Sequence, residues 1–126
     1  MAKIFGFFGF VLAVISQLGA ALAGSPEVAV PELSAEARQG GVLFMGKCAS
    51  CHGLYGQGTE KGPPLLHKYY HPGHHSDQAF WYAIRNGTRQ HHWPFGDMKP
   101  VEGIKDDQIP LLIRYVRELQ KANGIF

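Results

Sequence analysis

The chain has 126 residues, with 12 Lys and Arg against 10 Asp and Glu, two Cys and a formal net charge of +2. This length is that of one ordinary domain. Because no long run of like charge occurs, nucleic acid is not an expected partner.

The N-terminus has the parts of a secretory signal peptide. The positive residue Lys3 is followed by an almost entirely apolar segment, 4–18, and by the small-x-small sequence Ala21-Leu22-Ala23. We therefore expect residues 1–23 to be cleaved off and the rest of the chain to be exported, to a bacterial periplasm. The alternative is an uncleaved membrane anchor, because about 20 apolar residues can span a bilayer.

Residues 24–33 contain two prolines and no periodic pattern, which predicts a flexible lead-in. Ser34 suits the N-cap of a following helix, because its hydroxyl can accept a hydrogen bond from a free N–H of the first turn. Small or apolar residues then recur at helical spacing and predict a buried face: Ala37, Gly41, Phe44, Met45 and Cys48. Gly40 and Gly41 each cost a helix about 1 kcal/mol, and a close helix crossing would account for both.

Both cysteines lie in the stretch GKCASCHGLYGQG, where Cys48 and Cys51 are followed directly by His52. A disulfide between them would close a loop too short to constrain the unfolded chain much. A structural zinc ion needs four ligands, whereas this motif offers three, two of them adjacent in sequence. A thioredoxin-like site would open a helix inside a βαβ unit, and no strand pattern occurs here.

Covalent haem is the fourth use of this motif and the one that we favour. Two thiols add to the vinyl groups of haem as thioethers, and the histidine after the second cysteine ligates the iron. Cys48 and Cys51 are therefore the predicted attachment residues for one haem c, and His52 is the predicted proximal ligand. Export agrees with this interpretation, because haem is attached outside the cytoplasm.

The segment HKYYHPGHHSD is broken by Pro and Gly, and we expect a polar surface loop. A second metal site in this loop is the alternative, because it holds four histidines: His67, His71, His74 and His75. A middle helix is predicted over 77–85, with Phe80, Trp81 and Ile84 as its apolar residues. We expect Trp81 and Trp93 to pack around the haem, with an indole N–H that reaches a propionate.

The haem iron needs a sixth ligand from the face opposite His52, or it has an open site. Met98 lies in HHWPFGDMKPVEG, whose Gly and Pro residues suit a loop over a flat ligand, and it is the predicted distal ligand. Met45 lies one helical turn before the haem motif and is predicted to be a core side chain. His91 or His92 in place of Met98 would give bis-histidine ligation, but both are predicted to be surface residues.

A last helix follows Asp106 and Asp107, and Pro110 fits its first turn, where a missing N–H breaks no helical bond. Its apolar stripe consists of Ile109, Leu112, Ile113, Val116 and Leu119. No segment alternates as a strand does. We therefore expect an all-α fold, with three helices around one haem that supplies much of the core.

The residues from Gly40 to about Leu119 resemble the class I c-type cytochromes, which are small mono-haem proteins. Gly40 and Phe44 match the family's Gly-x-x-x-Phe/Tyr motif, and Cys48, Cys51 and His52 match its haem attachment site. The sequence Gly62-Pro63-Pro64-Leu65 resembles the family's Gly-Pro-x-Leu, and Asn86-Gly87 resembles the turn after its middle helix. Met98 matches the distal ligand, and Tyr115 matches an aromatic residue of the last helix. One departure is Met98-Lys99-Pro100, where many relatives have Met-Pro.

The resemblance implies the small cytochrome c fold over residues 34–126, with the N- and C-terminal helices crossing at Gly40 near Tyr115. It also implies that the Pro63 carbonyl accepts a hydrogen bond from the proximal histidine. Leu65 and Phe44 are then expected to pack on the haem.

Ligation by His52 and Met98 leaves no open position on the iron, so we expect a one-electron carrier between redox proteins and not an enzyme. Four lysines, Lys47, Lys61, Lys99 and Lys105, are candidates for a basic rim that steers acidic partners, or are ordinary solvated residues. The alternatives are a haem-c subunit of a membrane-bound or dehydrogenase complex, a haem enzyme or gas sensor with a labile sixth ligand, and a thiol protein without haem.

Overall fold

The computed structural model describes residues 27–126, so the predicted signal peptide at 1–23 lies outside the described residues. The α-helices are α1 (Ala35–Lys47), α2 (Ala49–His52), α3 (Asp77–Asn86) and α4 (Ile109–Ala122), with short 3-10 turns at Lys68–Tyr70 and Asp106–Gln108. Because residues 27–126 contain helices and no strand, the predicted all-α fold is confirmed. Within the same residues, no helix is both long and apolar enough to cross a bilayer.

Helix α1 begins as its sequence predicts, since the Ser34 hydroxyl accepts a hydrogen bond from the N–H of Ala37. Its buried face consists of Ala37, Gly40, Gly41 and Phe44. The prediction that Met45 is a core side chain is wrong, because Met45 is 55% exposed. At 3.6 residues per turn, Met45 points roughly 90° away from the centre of the buried stripe.

Helices α1 and α4 cross where α1 has no side chains. A Cβ on Gly40 would overlap the carbonyl oxygen of Leu111, and a Cβ on Gly41 would lie 3.0 Å from the Tyr115 ring. The predicted crossing is therefore present. However, Gly40 meets the backbone of α4, and it is Gly41 that faces Tyr115.

The apolar face of α4 forms most of the core together with Phe44 of α1. The buried residues of this helix are Ile109, Leu112, Ile113, Tyr115, Val116, Leu119 and Gln120. The rings of Phe44 and Tyr115 pack at a centroid distance of 5.2 Å. The Tyr115 hydroxyl donates a hydrogen bond to the Leu54 carbonyl oxygen (3.0 Å), so the ring also holds the chain just after α2.

The part of the predicted lead-in that the structure describes, residues 27–33, forms no regular element but is attached to α4. Ala29 and Asn123 exchange two hydrogen bonds, of 3.0 and 2.9 Å. The next residues are held too, because Ser34 donates through its backbone N–H and its hydroxyl to the carboxylate of Glu118. These bonds fix the start of α1 against the end of α4.

The crossing gives a stability prediction. Gly40→Ala should lower the free energy of unfolding by about 1–3 kcal/mol, because the added methyl group overpacks against backbone atoms that cannot rotate away. Guanidinium unfolding of the haem-loaded protein measures the change.

Gly46→Ala is the matched control, since Gly46 lies in the same helix and a Cβ there would have no atom within 4 Å. It should be neutral or stabilising by up to about 1 kcal/mol, because alanine has the higher helix propensity. Equal stability of the two variants would contradict the crossing.

Candidate functional site

A cavity of about 520 Å³ lies between α1, α3, α4 and two long loops, the first at 53–76 before α3 and the second at 87–105 after it. Its volume is in the usual range for small-molecule and cofactor sites, ~300–1,000 Å³. Most of its wall is apolar, and it brings together residues from distant parts of the sequence: Phe44, Cys48, His52, Pro63, Leu65, Trp93 and Met98 all line it. Seven of the nine residues proposed for the haem site on sequence grounds thus meet in one place.

The two cysteines are held at the junction of α1 and α2. Cys48 is the C-cap of α1 and donates its backbone N–H to the Phe44 carbonyl oxygen (2.8 Å). Cys48 is partly buried, Cys51 is exposed, and the two sulfur atoms form no disulfide with each other. Burial, together with the neighbouring Cys51, raises the pKa of Cys48 to about 11. A thiol-redox site needs a lowered pKa, so this pair does not resemble one.

The imidazole of His52 is fixed by a backbone carbonyl. Its Nδ1–H donates to the Pro63 carbonyl oxygen across 2.9 Å, which leaves Nε2 as the nitrogen free to bind a metal. Burial lowers the pKa of His52, an effect that the Pro63 hydrogen bond opposes, and a neutral ring keeps its lone pair available. A Cβ on Gly62 would lie 2.8 Å from the Cys51 carbonyl oxygen, so the loop approaches this closely only because Gly62 has no side chain.

Met98 is held by a two-residue bridge to the chain that follows α3. Thr88 and Met98 exchange two backbone hydrogen bonds, each of 2.9 Å. Between α3 and Thr88 lies Gly87, with φ of +72°, a left-handed conformation that favours glycine. The Asn86-Gly87 turn thus leads the chain directly to the strip of backbone that positions Met98.

One polar group in the cavity wall lacks a partner. The indole Nε1 of Trp93 is buried and meets no hydrogen-bond acceptor among the described residues. Burial raises the pKa of Tyr70, and its hydroxyl does not reach hydrogen-bond geometry with the Trp93 N–H. An acceptor on a bound molecule would satisfy the Trp93 N–H. A haem, with an apolar ring and two carboxylates, fits both the apolar wall and this donor.

Comparison with protein-family models matches residues 37–120 to the model for cytochrome c. The chain belongs to the cytochrome c family. Curated protein sequences give no significant match. Proteins of this family bind haem c covalently and use it for electron transfer, and Cys48 and Cys51 fit the attachment motif.

The structure corrects one predicted contact of this cytochrome. Trp81 does not line the cavity but lines a second hollow between α3 and α4, with the Arg85 guanidinium 5.9 Å from its ring centre. Phe80, together with Ala83 and Ile84, is on the cavity side. Residues 80, 83 and 84 have the spacing of one helix face, which predicts that Phe80 faces the cavity. Trp81 was chosen instead because of its large apolar side chain.

Two residues of α4 that the sequence analysis missed hold the loop over the cavity. Gln120 is fully buried, and its side-chain amide donates to the carbonyl oxygens of Leu65 (2.9 Å) and Tyr70 (3.0 Å). Arg117 donates to the carbonyl oxygens of Tyr70 and His75 and pairs with Asp77. A buried Gln on an apolar helix stripe is the only sequence signal for this role.

Four of the histidines predicted to lie at the surface are exposed or partly exposed, and they form a cluster. His74 and His75 of the first long loop meet His91 and His92 of the second, and all four line the rim of the haem cavity. Burial lowers the pKa of His75 and of His92, and the neighbouring imidazoles lower both further. No spacing rule reveals this cluster, because it joins two loops that α3 separates.

Covalent attachment can be tested directly. Denaturing mass spectrometry of the purified protein should show a permanent haem adduct that survives acid extraction, because thioether bonds to Cys48 and Cys51 do not hydrolyse under these conditions. Ser50→Ala, which changes one of the two residues between the cysteines and spares both thiols, should retain the adduct. Free extraction of haem from the wild-type protein would contradict the attachment.

Proposed function

We propose that this cytochrome c is a periplasmic one-electron carrier that shuttles between redox proteins. The observation that carries the proposal is the presence of His52 and Met98 on the wall of one apolar cavity, which the attachment residue Cys48 also lines. If the His52 nitrogen and the Met98 thioether both bound the iron of a haem held there, no iron position would remain for a substrate or a gas.

A bound haem supplies the one-electron change between Fe(III) and Fe(II). In the proposal, the protein keeps the same two ligands in both states, so little rearrangement accompanies transfer. The hydrogen bond to Pro63 holds the His52 ring in one orientation, and the bridge between Thr88 and Met98 limits the movement of the sulfur. The soft thioether favours Fe(II) and so raises the reduction potential.

Partner choice in this proposal depends on surface charge. The four lysines considered for a basic rim, Lys47, Lys61, Lys99 and Lys105, are all exposed. The Lys47 ammonium donates to the Glu102 carbonyl oxygen (3.1 Å), which keeps its charge beside the segment that contains Lys105. Exposed positive charges of this kind speed the encounter with acidic proteins and lose their effect at high salt.

The distal ligand is tested with two methionine variants. Met98→Ala should retain covalent haem, lose the weak near-infrared band of a sulfur–Fe(III) bond, and have a lower reduction potential. Met45→Ala is the matched control, because Met45 is an exposed methionine of α1, and this variant should keep both the band and the potential.

Persistence of the band in Met98→Ala, with its loss in His91→Ala or His92→Ala, would contradict the assignment. Carbon monoxide gives the functional control. Reduced wild-type protein should not bind it at neutral pH, whereas reduced Met98→Ala should. Ready binding by the wild type would instead support a haem enzyme or a gas sensor.

The proposed location rests on the sequence of residues 1–23. Protein expressed from the full-length gene in a Gram-negative host that makes c-type cytochromes should appear in the periplasmic fraction with Gly24 as its first residue, as measured by intact mass. A haem-loaded protein that keeps residues 1–23 and sediments with membranes would overturn the soluble carrier and support the anchored alternative.

A further inference from the structure

Four imidazoles converge at the rim of the haem cavity. Two nitrogen pairs define the cluster: His74 Nε2 lies 3.2 Å from His92 Nε2, and His75 Nε2 lies 3.3 Å from His91 Nε2. The ligand nitrogens of His74, His75 and His92 all lie within 4.8 Å of one another. The cluster joins the loop before α3 to the loop after it.

If all the rings are neutral, one pair of imidazoles in this cluster has no proton for its Nε2–Nε2 contact. His75 Nδ1 lies 2.6 Å from the Tyr69 carbonyl oxygen, and His91 Nδ1 lies 2.7 Å from the Arg89 carbonyl oxygen. Since a carbonyl only accepts, each Nδ1 carries the single proton of its neutral ring. Both Nε2 atoms are then bare, and two lone pairs face each other across 3.3 Å. A positive species between them would remove this repulsion.

The geometry fits a metal ion. Two nitrogens bound to one tetrahedral zinc at ~2.0–2.1 Å lie about 3.3 Å apart, close to the 3.2 Å between His74 Nε2 and His92 Nε2. Histidines that bind a metal through Nε2 usually donate Nδ1–H to a backbone carbonyl, as His75 does. Imidazole is a preferred ligand of zinc, copper and nickel.

We propose that His74, His75 and His92 bind one divalent transition-metal ion, separate from the haem iron. The Tyr69 carbonyl orients the His75 ring, and the ion connects the two loops beside the cavity. His91 lies against His75 but outside this group of three. The proposal does not depend on the role of the protein as an electron carrier. If the histidine cluster instead holds a shared proton or a carboxylate of the haem, it will not bind an added metal ion.

Zinc is the probe, because it does not change oxidation state beside the haem. Isothermal titration of the haem-loaded wild type with zinc should show one saturable site, with one equivalent of zinc retained after dialysis. His74→Ala and His92→Ala should each weaken binding by at least about 100-fold, since even the loss of a group behind a metal ligand costs about 10–100-fold. Absorption of the haem and far-ultraviolet circular dichroism verify that each variant is folded.

His71→Asn is the matched control. His71 lies in the same loop, but its Nδ1 accepts a hydrogen bond from the Gly73 N–H, a contact that the Asn side chain can replace. This variant should bind zinc as the wild type does. The proposal is overturned if the wild type has no saturable site, or if His74→Ala and His92→Ala bind zinc as tightly as His71→Asn does. If one of those two variants fails to fold, the other decides the matter.

Discussion

Helix α1 packs on α4 through Gly40 and Gly41, which have no side chains. This contact determines where the residues after α1 are placed. Because Gly40 lies directly on the Leu111 carbonyl, the end of α1 is fixed relative to the core of α4. The attachment cysteines and His52 follow within the next helical turns, so their positions depend on this crossing. Tyr115 strengthens it twice, through its ring on Phe44 and its hydroxyl on the Leu54 carbonyl.

The core of this protein surrounds a space and does not fill it. About 100 residues bury too little apolar surface for a large margin of stability, and here much of that surface faces a cavity of about 520 Å³. A haem in the cavity would complete the packing of the surrounding helices and loops. Because thioether-bound haem stays on the unfolded chain, it would stabilise the fold through the apolar surface that it buries in the folded state.

The sequence predicted the parts of the fold that local chemistry determines. Helix bounds followed from the Ser34 cap and from the apolar stripe of α4, and the family match supports the haem and the all-α architecture. Errors arose where the outcome depends on rotation about a helix axis: Met45 is exposed, and Phe80 takes the place predicted for Trp81. The histidine cluster and the roles of Gln120 and Arg117 were out of reach, because they depend on how distant loops meet.

The hydrogen bonds from α4 to the first long loop all go to main-chain atoms of that loop. Gln120 and Arg117 bind the carbonyl oxygens of Leu65, Tyr70 and His75, which every amino acid possesses. Substitutions in this loop can therefore change its side chains without changing its path. The two helix residues have no such freedom, since their loss would leave several carbonyls without donors at once. We therefore expect substitutions in related sequences to be more frequent in this loop than at Arg117 and Gln120.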